Sequence, residues 1–97
     1  MYARVVTVQV QPDKLDETIN LYEDSVLSAA RQQKGFQNGM LLVDRNTGKG
    51  VSITLWETEA DLAASESSGY FQAQIAKFAS LFAGPPTREL YQVAVNK

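Results

Sequence analysis

The stretch Val51-Ser-Ile-Thr-Leu-Trp-Glu-Thr-Glu-Ala-Asp61 changes from a strand pattern to a helix start within a few residues. Apolar and polar side chains alternate up to Trp56, which predicts a strand with Val51, Ile53 and Leu55 on one face. Thr58 is followed three residues later by Asp61. This spacing predicts a helix N-terminus, because the hydroxyl accepts from free backbone N–H groups and a carboxylate suits the positive helix end. The stretch therefore predicts a strand that turns directly into a helix.

The residues before this stretch predict two strands, one helix and a hairpin. Tyr2–Val10 is rich in β-branched residues and predicts a strand. Pro12 and Asp13 suit a helix start, and Lys34-Gly35 ends that helix after about Gln33. Its apolar stripe consists of Leu15, Ile19, Tyr22, Val26 and Ala29 or Ala30. A second strand, with three apolar residues on one face, and a hairpin loop follow: Phe36–Val43 (Phe36, Met40 and Leu42) and Asp44–Gly50.

The residues after Trp56 predict a second helix and a last strand. Val51–Glu57 forms the third strand, and a helix follows from Glu59, interrupted near Gly69. It resumes with a stripe that we interpret as core, and Gly84-Pro85-Pro86 ends it. The stripe consists of Phe71, Ile75, Phe78 and Phe82. Thr87–Val95 forms the last strand.

The predicted order is β-α-β-β-α-β in one domain of residues 1–97, an α+β ferredoxin-like sandwich. Its four-stranded antiparallel sheet carries two helices on one face. Yet the first strand is apolar on both faces, with Val6 and Val8 on one and Ala3 and Val5 on the other. Because monomers rarely expose a large apolar patch, we expect a homodimer formed through the open sheet face.

The amino-acid composition argues against several classes of function. The net charge is −2, from 9 basic and 11 acidic residues without a basic block, which argues against nucleic acid and anionic membranes as partners. The chain has no Cys and no His, so thiolate catalysis is excluded and no metal site is expected. No apolar run is long enough for a membrane span or typical of a signal peptide, so we expect a cytoplasmic protein.

A few aromatic and charged residues are candidates for a ligand pocket, each with a structural alternative. Trp56 either walls a pocket or fills the core under the second helix, and Tyr22 either hydrogen-bonds a ligand or packs between helix and sheet. Tyr70 follows the helix break, where it forms a pocket lid or a surface bend. Arg88 either binds an anionic group or is solvated at the strand end.

Three segments together resemble the antibiotic biosynthesis monooxygenase superfamily of dimeric α/β-barrel proteins. They are Gly35-Phe36, Leu41-Leu42-Val43-Asp44-Arg45 and Ser52-Ile-Thr-Leu-Trp-Glu-Thr-Glu-Ala-Asp-Leu62. The resemblance implies a ferredoxin-like fold whose sheets pack face to face in a dimer. It also implies oxidation of aromatic phenols by oxygen without a cofactor, in an apolar pocket lined by Trp56, Tyr22, Phe36 and Tyr70. Haem degradation, known in another branch, is disfavoured because the chain has no His.

The sequence leaves three hypotheses open. The first is a cofactor-independent monooxygenase that shields, orients and helps to ionise a small aromatic or phenolic substrate. The second is a non-catalytic dimeric module that binds a small apolar molecule or serves a stress response. The third is a cofactor-free isomerase or lyase on the same fold, which would turn over under nitrogen. No catalytic residue is assigned from the sequence.

Overall fold

A computed structural model describes all of residues 1–97 and shows four strands and three helices. The elements are β1 (Tyr2–Gln9), α1 (residues 15–30), β2 (Phe36–Val43), β3 (Lys49–Trp56), α2 (Glu59–Ser67), α3 (Tyr70–Ala76) and β4 (Thr87–Gln92). A 3-10 turn, Pro12–Lys14, precedes α1. The α+β ferredoxin-like prediction is confirmed, with α2 and α3 as the two parts of the predicted second helix.

The strands form one antiparallel sheet in the order β2-β3-β1-β4. In β1, Val6 lies opposite Ser52 of β3 and Arg88 of β4, so these three residues share a face. Val6 and Val8 are buried on this face, which the helices cover. Side chains alternate along a strand, so the odd-numbered residues of β1 lie on the other face.

A β-bulge in β2 changes the predicted faces of that strand. The register shifts between Phe36 and Asn38, so that Phe36 lies opposite Trp56 while Asn38 lies opposite Leu55. The prediction that Phe36 shares a face with Met40 and Leu42 is therefore wrong. The extra residue in the bulge turns Phe36 to the helix side, and its ring meets Trp56 edge-on at 5.6 Å.

Helix α1 contains a wide turn in its middle. It begins as an α-helix over Leu15–Leu21, continues as a π-helix over Tyr22–Val26 and ends as an α-helix over Leu27–Ala30. After Leu15, its buried residues Thr18, Tyr22, Val26 and Ala30 recur at intervals of four. That interval drifts around a regular helix of about 3.6 residues per turn, and the wider π turn offsets the drift. The four residues therefore stay on the face that meets the sheet.

The predicted start and interruption of the second helix are confirmed. The Thr58 hydroxyl accepts a hydrogen bond from the backbone N–H of Asp61 at 3.1 Å. Gly69 separates α2 from α3 in a left-handed backbone conformation with φ of 86°. The same backbone region occurs at Gly35, with φ of 84°, as predicted for the chain after α1.

The predicted continuation of this helix through Phe82 is wrong. Helix α3 ends at Ala76, and the next N–H groups bond three residues back, as in Phe78 to Ile75 at 3.0 Å. Beyond them the chain is tied to the end of β1, because the N–H of Ala83 donates to the carbonyl of Gln9 at 2.7 Å. This backbone pairing with the sheet replaces further helical bonds.

Other predicted ends extend too far. Helix α1 ends at Ala30 rather than near Gln33, since the N–H of Gln33 bonds three residues back to the carbonyl of Ala30. Strand β4 ends at Gln92 rather than Val95, because its partner Tyr2 is the first residue of β1. One further backbone bond, from the N–H of Val93 to the carbonyl of Met1 at 2.9 Å, lies beyond this last strand pair.

The core between sheet and helices consists of two apolar clusters. One joins β1 to α1 through Val6, Val8, Val10 and Leu15. The other joins α1 to the segment after α3 and consists of Tyr22, Val26, Phe78 and Leu81. The Phe78 and Phe82 rings stack with centroids 5.8 Å apart. No helix of the chain has the length and apolar character that crossing a bilayer requires.

Gly35 and Gly69, two of the three left-handed glycines, differ in their surroundings, which makes a matched set of substitutions informative. A Cβ at Gly35 would overlap the side chain of Asp61, whereas one at Gly69 would meet no atom within 4 Å. We expect Gly69→Ala to lower the free energy of unfolding by about 1–2 kcal/mol, the cost of left-handed backbone. Gly35→Ala is expected to cost more. Denaturant titration of both variants measures the difference.

Gly84→Ala is the control, because its backbone is not left-handed and open space surrounds the position. The denaturant concentration at which half of this variant is unfolded is expected to be close to that of the unsubstituted chain. Equal losses for Gly35→Ala and Gly69→Ala would show that the chain does not pass close to Asp61.

Candidate functional site

A cavity lies between the helix-covered face of the sheet and the helices. The volume of this cavity is about 60 Å³. Its walls come from β1, β2, β3, α1, α3 and the segment after α3. The apolar walls are Val6, Val8, Val26, Ala30, Leu41, Phe71, Ile75, Phe78 and Phe82, and the polar groups belong to Arg4, Thr18, Tyr22, Ser52, Thr54, Tyr70 and Gln74. The site is therefore apolar and aromatic, with a few polar groups.

Arg4 is the only cation in the cavity wall, and its side chain is only 4% exposed. Its Nη1 donates to the hydroxyl of Ser65 at 2.8 Å and to a carboxylate oxygen of Glu66 at 3.4 Å. Burial lowers the pKa of Arg4, and the nearby Glu66 opposes that shift. An arginine stays protonated near neutral pH in spite of such a shift, so the cavity contains a fixed positive charge.

Two aromatic rings hold the Arg4 guanidinium. Its central carbon lies 4.2 Å from the ring centroid of Phe71 and 5.4 Å from that of Trp56. Such cation–π contacts stabilise a charge that has lost its water. Trp56 is itself fixed, because its indole N–H donates to the Thr54 hydroxyl at 3.0 Å.

The carboxylate of Glu66 forms ion pairs with two arginines. One of its carboxylate oxygens lies 3.4 Å from Arg4 and the other lies 3.3 Å from Arg88 of β4. The three side chains connect α2 to both β1 and β4. Because two cations share one carboxylate, this cluster carries a net positive charge next to the cavity.

Tyr22 is held at the π turn of α1 by hydrogen bonds to the sheet. Its hydroxyl donates to the carbonyl of Met40 at 3.1 Å and lies 2.9 Å from the Ser52 hydroxyl, which can donate to it. Burial raises the pKa of Tyr22, while the Ser52 bond and the charge of Arg4 oppose the shift. The phenol is therefore neutral at neutral pH.

Tyr70 begins α3 directly after Gly69 and contributes to the cavity wall. It is half-buried, and its hydroxyl has no hydrogen-bond partner within the chain. Burial raises its pKa, and the charge of Arg4 opposes this. A neutral hydroxyl there remains free to donate to or accept from a ligand.

The structure separates the residues that the sequence suggested for the pocket. Tyr22 and Tyr70 line the cavity together. Trp56 is completely buried and packs against Phe36, and neither ring belongs to the cavity wall. Arg88 lies on β4 and contacts Glu66 rather than the cavity.

Arg4 is the charged residue of the cavity wall that was not predicted from the sequence. Its signal was present, because Arg4 precedes Val6 and Val8 in the alternation of β1 and thus lies on the same buried face. A charged residue in a buried register position is uncommon unless it is paired. The alternation of β1 thus places a charge in the same buried row as Val6 and Val8.

The chemistry available to the cavity is limited by its side chains. No group of three or more metal-ligating side chains occurs in the chain, and no carboxylate lines the cavity. The ionisable groups of the wall are one arginine and two neutral tyrosines. This arrangement can bind a small apolar or aromatic molecule, donate hydrogen bonds to it and favour a negative charge on it.

Two uncharacterized proteins of Mycobacterium tuberculosis are similar to nearly the whole chain. Rv2557 is 33% identical over 95 residues, which are 97% of this chain and 41% of that protein. Rv2558 is 34% identical over 96 residues, 98% of this chain and 39% of that protein. The chain thus spans about two fifths of the length of the curated relatives it matches.

Solved structures of oxygenases share the fold. A monooxygenase from the gene ActVA-Orf6 of Streptomyces coelicolor, in complex with nanaomycin D, aligns with a TM-score of 0.79 and 20% identity over 99% of this chain and 91% of its own. SnoaB, a cofactor-independent oxygenase from Streptomyces nogalater, aligns with a TM-score of 0.75 and 15% identity over 98% of this chain and 94% of its own. At these identities the likeness shows the fold alone.

The sequence model of the antibiotic biosynthesis monooxygenase family matches residues 1–77. The match runs from β1 to the end of α3 and includes every cavity-lining residue except Phe78 and Phe82. The earlier resemblance, drawn from three short segments, is thereby confirmed over most of the chain. The chain belongs to the antibiotic biosynthesis monooxygenase family.

Proposed function

We propose that this chain is a cofactor-independent monooxygenase that oxidises a small phenolic substrate with molecular oxygen. The observation that carries the proposal is the aromatic cavity with a single buried cation, Arg4, in its wall. Family membership supports the reaction class. The name of SnoaB, a cofactor-independent oxygenase with the same fold, supports the absence of a cofactor.

The proposed reaction balances without an external reductant. A phenol whose para carbon bears hydrogen takes up one O₂, one oxygen atom becomes the new carbonyl of a quinone and the other leaves as water. The para C–H bond and the phenol O–H bond break, and the ring supplies all four electrons that reduce O₂. For 1-naphthol, the products are 1,4-naphthoquinone and one water.

The chain's own contribution is to enclose, orient and hydrogen-bond the substrate. The apolar wall excludes water from the ring, and the free Tyr70 hydroxyl offers a hydrogen bond to a substrate oxygen. The charge of Arg4 favours an anionic substrate. No lining group is a base at neutral pH, so the reacting phenolate forms from substrate that ionises without a protein base.

A non-catalytic binding module is the second candidate, and one observation favours it. All ionisable groups of the cavity wall are arginine or neutral tyrosine, so none can take a proton from a ligand at neutral pH. In that case the cavity would bind a small aromatic molecule and release it unchanged. Binding without oxygen uptake distinguishes this function from the first.

The oxidation is tested with 1-naphthol and related phenols in an oxygen electrode under ¹⁸O₂. We expect oxygen uptake above the blank and one labelled atom in each quinone. Ala30→Leu, which fills part of the cavity from α1, is expected to lower kcat/KM by about tenfold or more, as steric changes of this size do in apolar pockets.

Ala63→Leu makes the same substitution at an exposed position of α2 and is expected to leave kcat/KM unchanged. If calorimetry detects binding of 1-naphthol but none of the tested phenols causes oxygen uptake, the binding module is favoured over the oxygenase. Turnover under nitrogen would replace it with an isomerase or lyase.

The pH dependence of the oxidation tests where the substrate proton goes. Because burial raises the pKa of Tyr22 and Tyr70, neither ionises as the pH rises through the neutral range. We expect kcat/KM to rise with pH and to level off at the pKa of the substrate hydroxyl. The pH at which kcat/KM reaches half of its plateau is expected to be lower for 2-chloro-1-naphthol, whose hydroxyl is more acidic.

Tyr70→Phe provides the control for this profile. It is expected to lower kcat/KM about fivefold, the value of one neutral hydrogen bond, and to leave the midpoint where it was. The same midpoint for both substrates would show that a group of the protein, rather than the substrate, controls the reaction.

We also propose that two copies of the chain pack through the open sheet face. Three large apolar side chains of this face are exposed: Met40 by 39%, Leu42 by 50% and Tyr91 by 51%. Met40 and Leu42 lie opposite Ile53 and Val51 of β3, and the central β1 adds Val5. A continuous apolar face of this kind is typical of a surface that is covered in the assembled protein.

Analytical ultracentrifugation at micromolar concentration tests the dimer. The unsubstituted chain is expected to sediment as two copies, and Leu42→Glu as one, because a buried unpaired carboxylate is unfavourable in an apolar interface. Gln72→Glu adds the same charge at an exposed helical position and is expected to remain dimeric. A single-copy mass for the unsubstituted chain would rule out the dimer.

A further inference from the structure

We propose that Arg4 binds the carboxylate of an aromatic ligand through its Nε–H and one Nη2–H. The inference rests on the proposed function for the ligand's aromatic body and adds the group by which the ligand is recognised. Within the chain, both side-chain hydrogen bonds of Arg4, to Ser65 and Glu66, come from its Nη1.

The remaining nitrogens of Arg4 face accessible space. Neither Nε nor Nη2 has a hydrogen-bond partner within the chain, yet no fully buried side-chain nitrogen or oxygen lacks one. Both nitrogens must therefore be reached by solvent. Because the side chain is 4% exposed and lines the cavity, we infer that this accessible space is the cavity.

The free edge of the guanidinium selects a ligand group with two oxygens. The Nε–H bond and one Nη2–H bond of an arginine are parallel, and a planar carboxylate accepts both at once. A single phenolate oxygen cannot use both donors equally well. The free donor pair therefore fits a carboxylate better than the hydroxyl that is oxidised.

The edge is fixed before a ligand arrives. Phe71 and Trp56 lie against the guanidinium at 4.2 and 5.4 Å, and Ser65 and Glu66 hold its Nη1. A donor pair held in this way needs little ordering on binding, which favours affinity.

The charges around Arg4 leave room for one anion. Glu66 is shared with Arg88, and its 3.4 Å distance from Arg4 is longer than the usual 2.7–2.9 Å of a hydrogen bond between charged groups. No other carboxylate contacts Arg4, and none lines the cavity. A ligand carboxylate would supply the missing negative charge.

The rest of the cavity fits an aromatic body next to that carboxylate. Phe71, Phe78 and Phe82 belong to its wall, together with Tyr22 and Tyr70. Because Phe71 also lies on the guanidinium, the apolar wall begins directly beside the charged group. A flat acid can therefore place its ring among these side chains while its carboxylate contacts Arg4.

The test compares 2-naphthoate with 2-naphthamide, its neutral isostere, by titration calorimetry under nitrogen. We expect the acid to bind at least about tenfold more tightly, the value of hydrogen bonds between charged groups. Arg4→Lys retains the charge but lacks the parallel donors and is expected to reduce this preference by about threefold or more. Arg45→Lys, at an exposed arginine, is expected to retain the full preference.

Nitrogen-15 NMR of the unsubstituted chain gives a second measurement that needs no variant. The Nε–H resonance of Arg4 is expected to shift on addition of 2-naphthoate and not of 2-naphthamide. The proposal would be overturned by equal affinity for the two compounds or by an unchanged preference in Arg4→Lys. It would also be overturned if the Nε–H resonance did not shift on addition of 2-naphthoate.

These measurements are independent of oxidation. Neither naphthalene compound carries a hydroxyl to oxidise, and oxygen is absent. If 2-naphthoate binds through Arg4 but no phenol consumes oxygen, the monooxygenase proposal fails and this inference stands. If phenols are oxidised but the acid shows no preference, the reverse holds.

Discussion

The buried charge of Arg4 is the interaction on which the arrangement around the cavity depends. A cation removed from water is strongly unfavourable unless charges, hydrogen bonds or aromatic rings replace its hydration. Here Ser65 and Glu66 from α2, Phe71 from α3 and Trp56 from β3 all converge on one guanidinium. The requirement to satisfy Arg4 thus holds both parts of the second helix against β1.

The cavity is lined by residues of both apolar clusters beneath the helices. One apolar cluster packs α1 on β1, and the other packs α1 on the segment after α3. The π turn keeps Tyr22 directed at the sheet, where its hydroxyl reaches Met40 and Ser52. Wide helical turns of this kind often occur at functional sites, and here the turn positions a cavity-lining phenol.

The uncovered sheet face and the cavity belong to opposite sides of the same strands. In β1, Arg4 and Val6 contribute to the cavity side, while Ala3 and Val5 lie on the open side. A second copy on the open face would therefore stabilise β1 and β3 without blocking the ligand site. Because strand side chains alternate, the proposed dimer and the proposed ligand site use different faces of the same strands.

The sequence by itself determined the order of elements, the cap at Thr58, the break at Gly69 and the apolar faces of β1 and β3, since these depend on neighbouring residues and on helix and strand periods. It also marked Tyr22 and Tyr70, which line the cavity. Only the tertiary structure decided that a bulge turns Phe36 toward Trp56, that pairing with Gln9 ends α3 early, and that Arg4 is buried in the cavity wall. Each of these depends on contacts between residues far apart in the chain, which no local pattern specifies. The environment of Arg4 in particular is built from residues some sixty positions away, such as Ser65 and Glu66, that meet it only once the sheet and helices have packed.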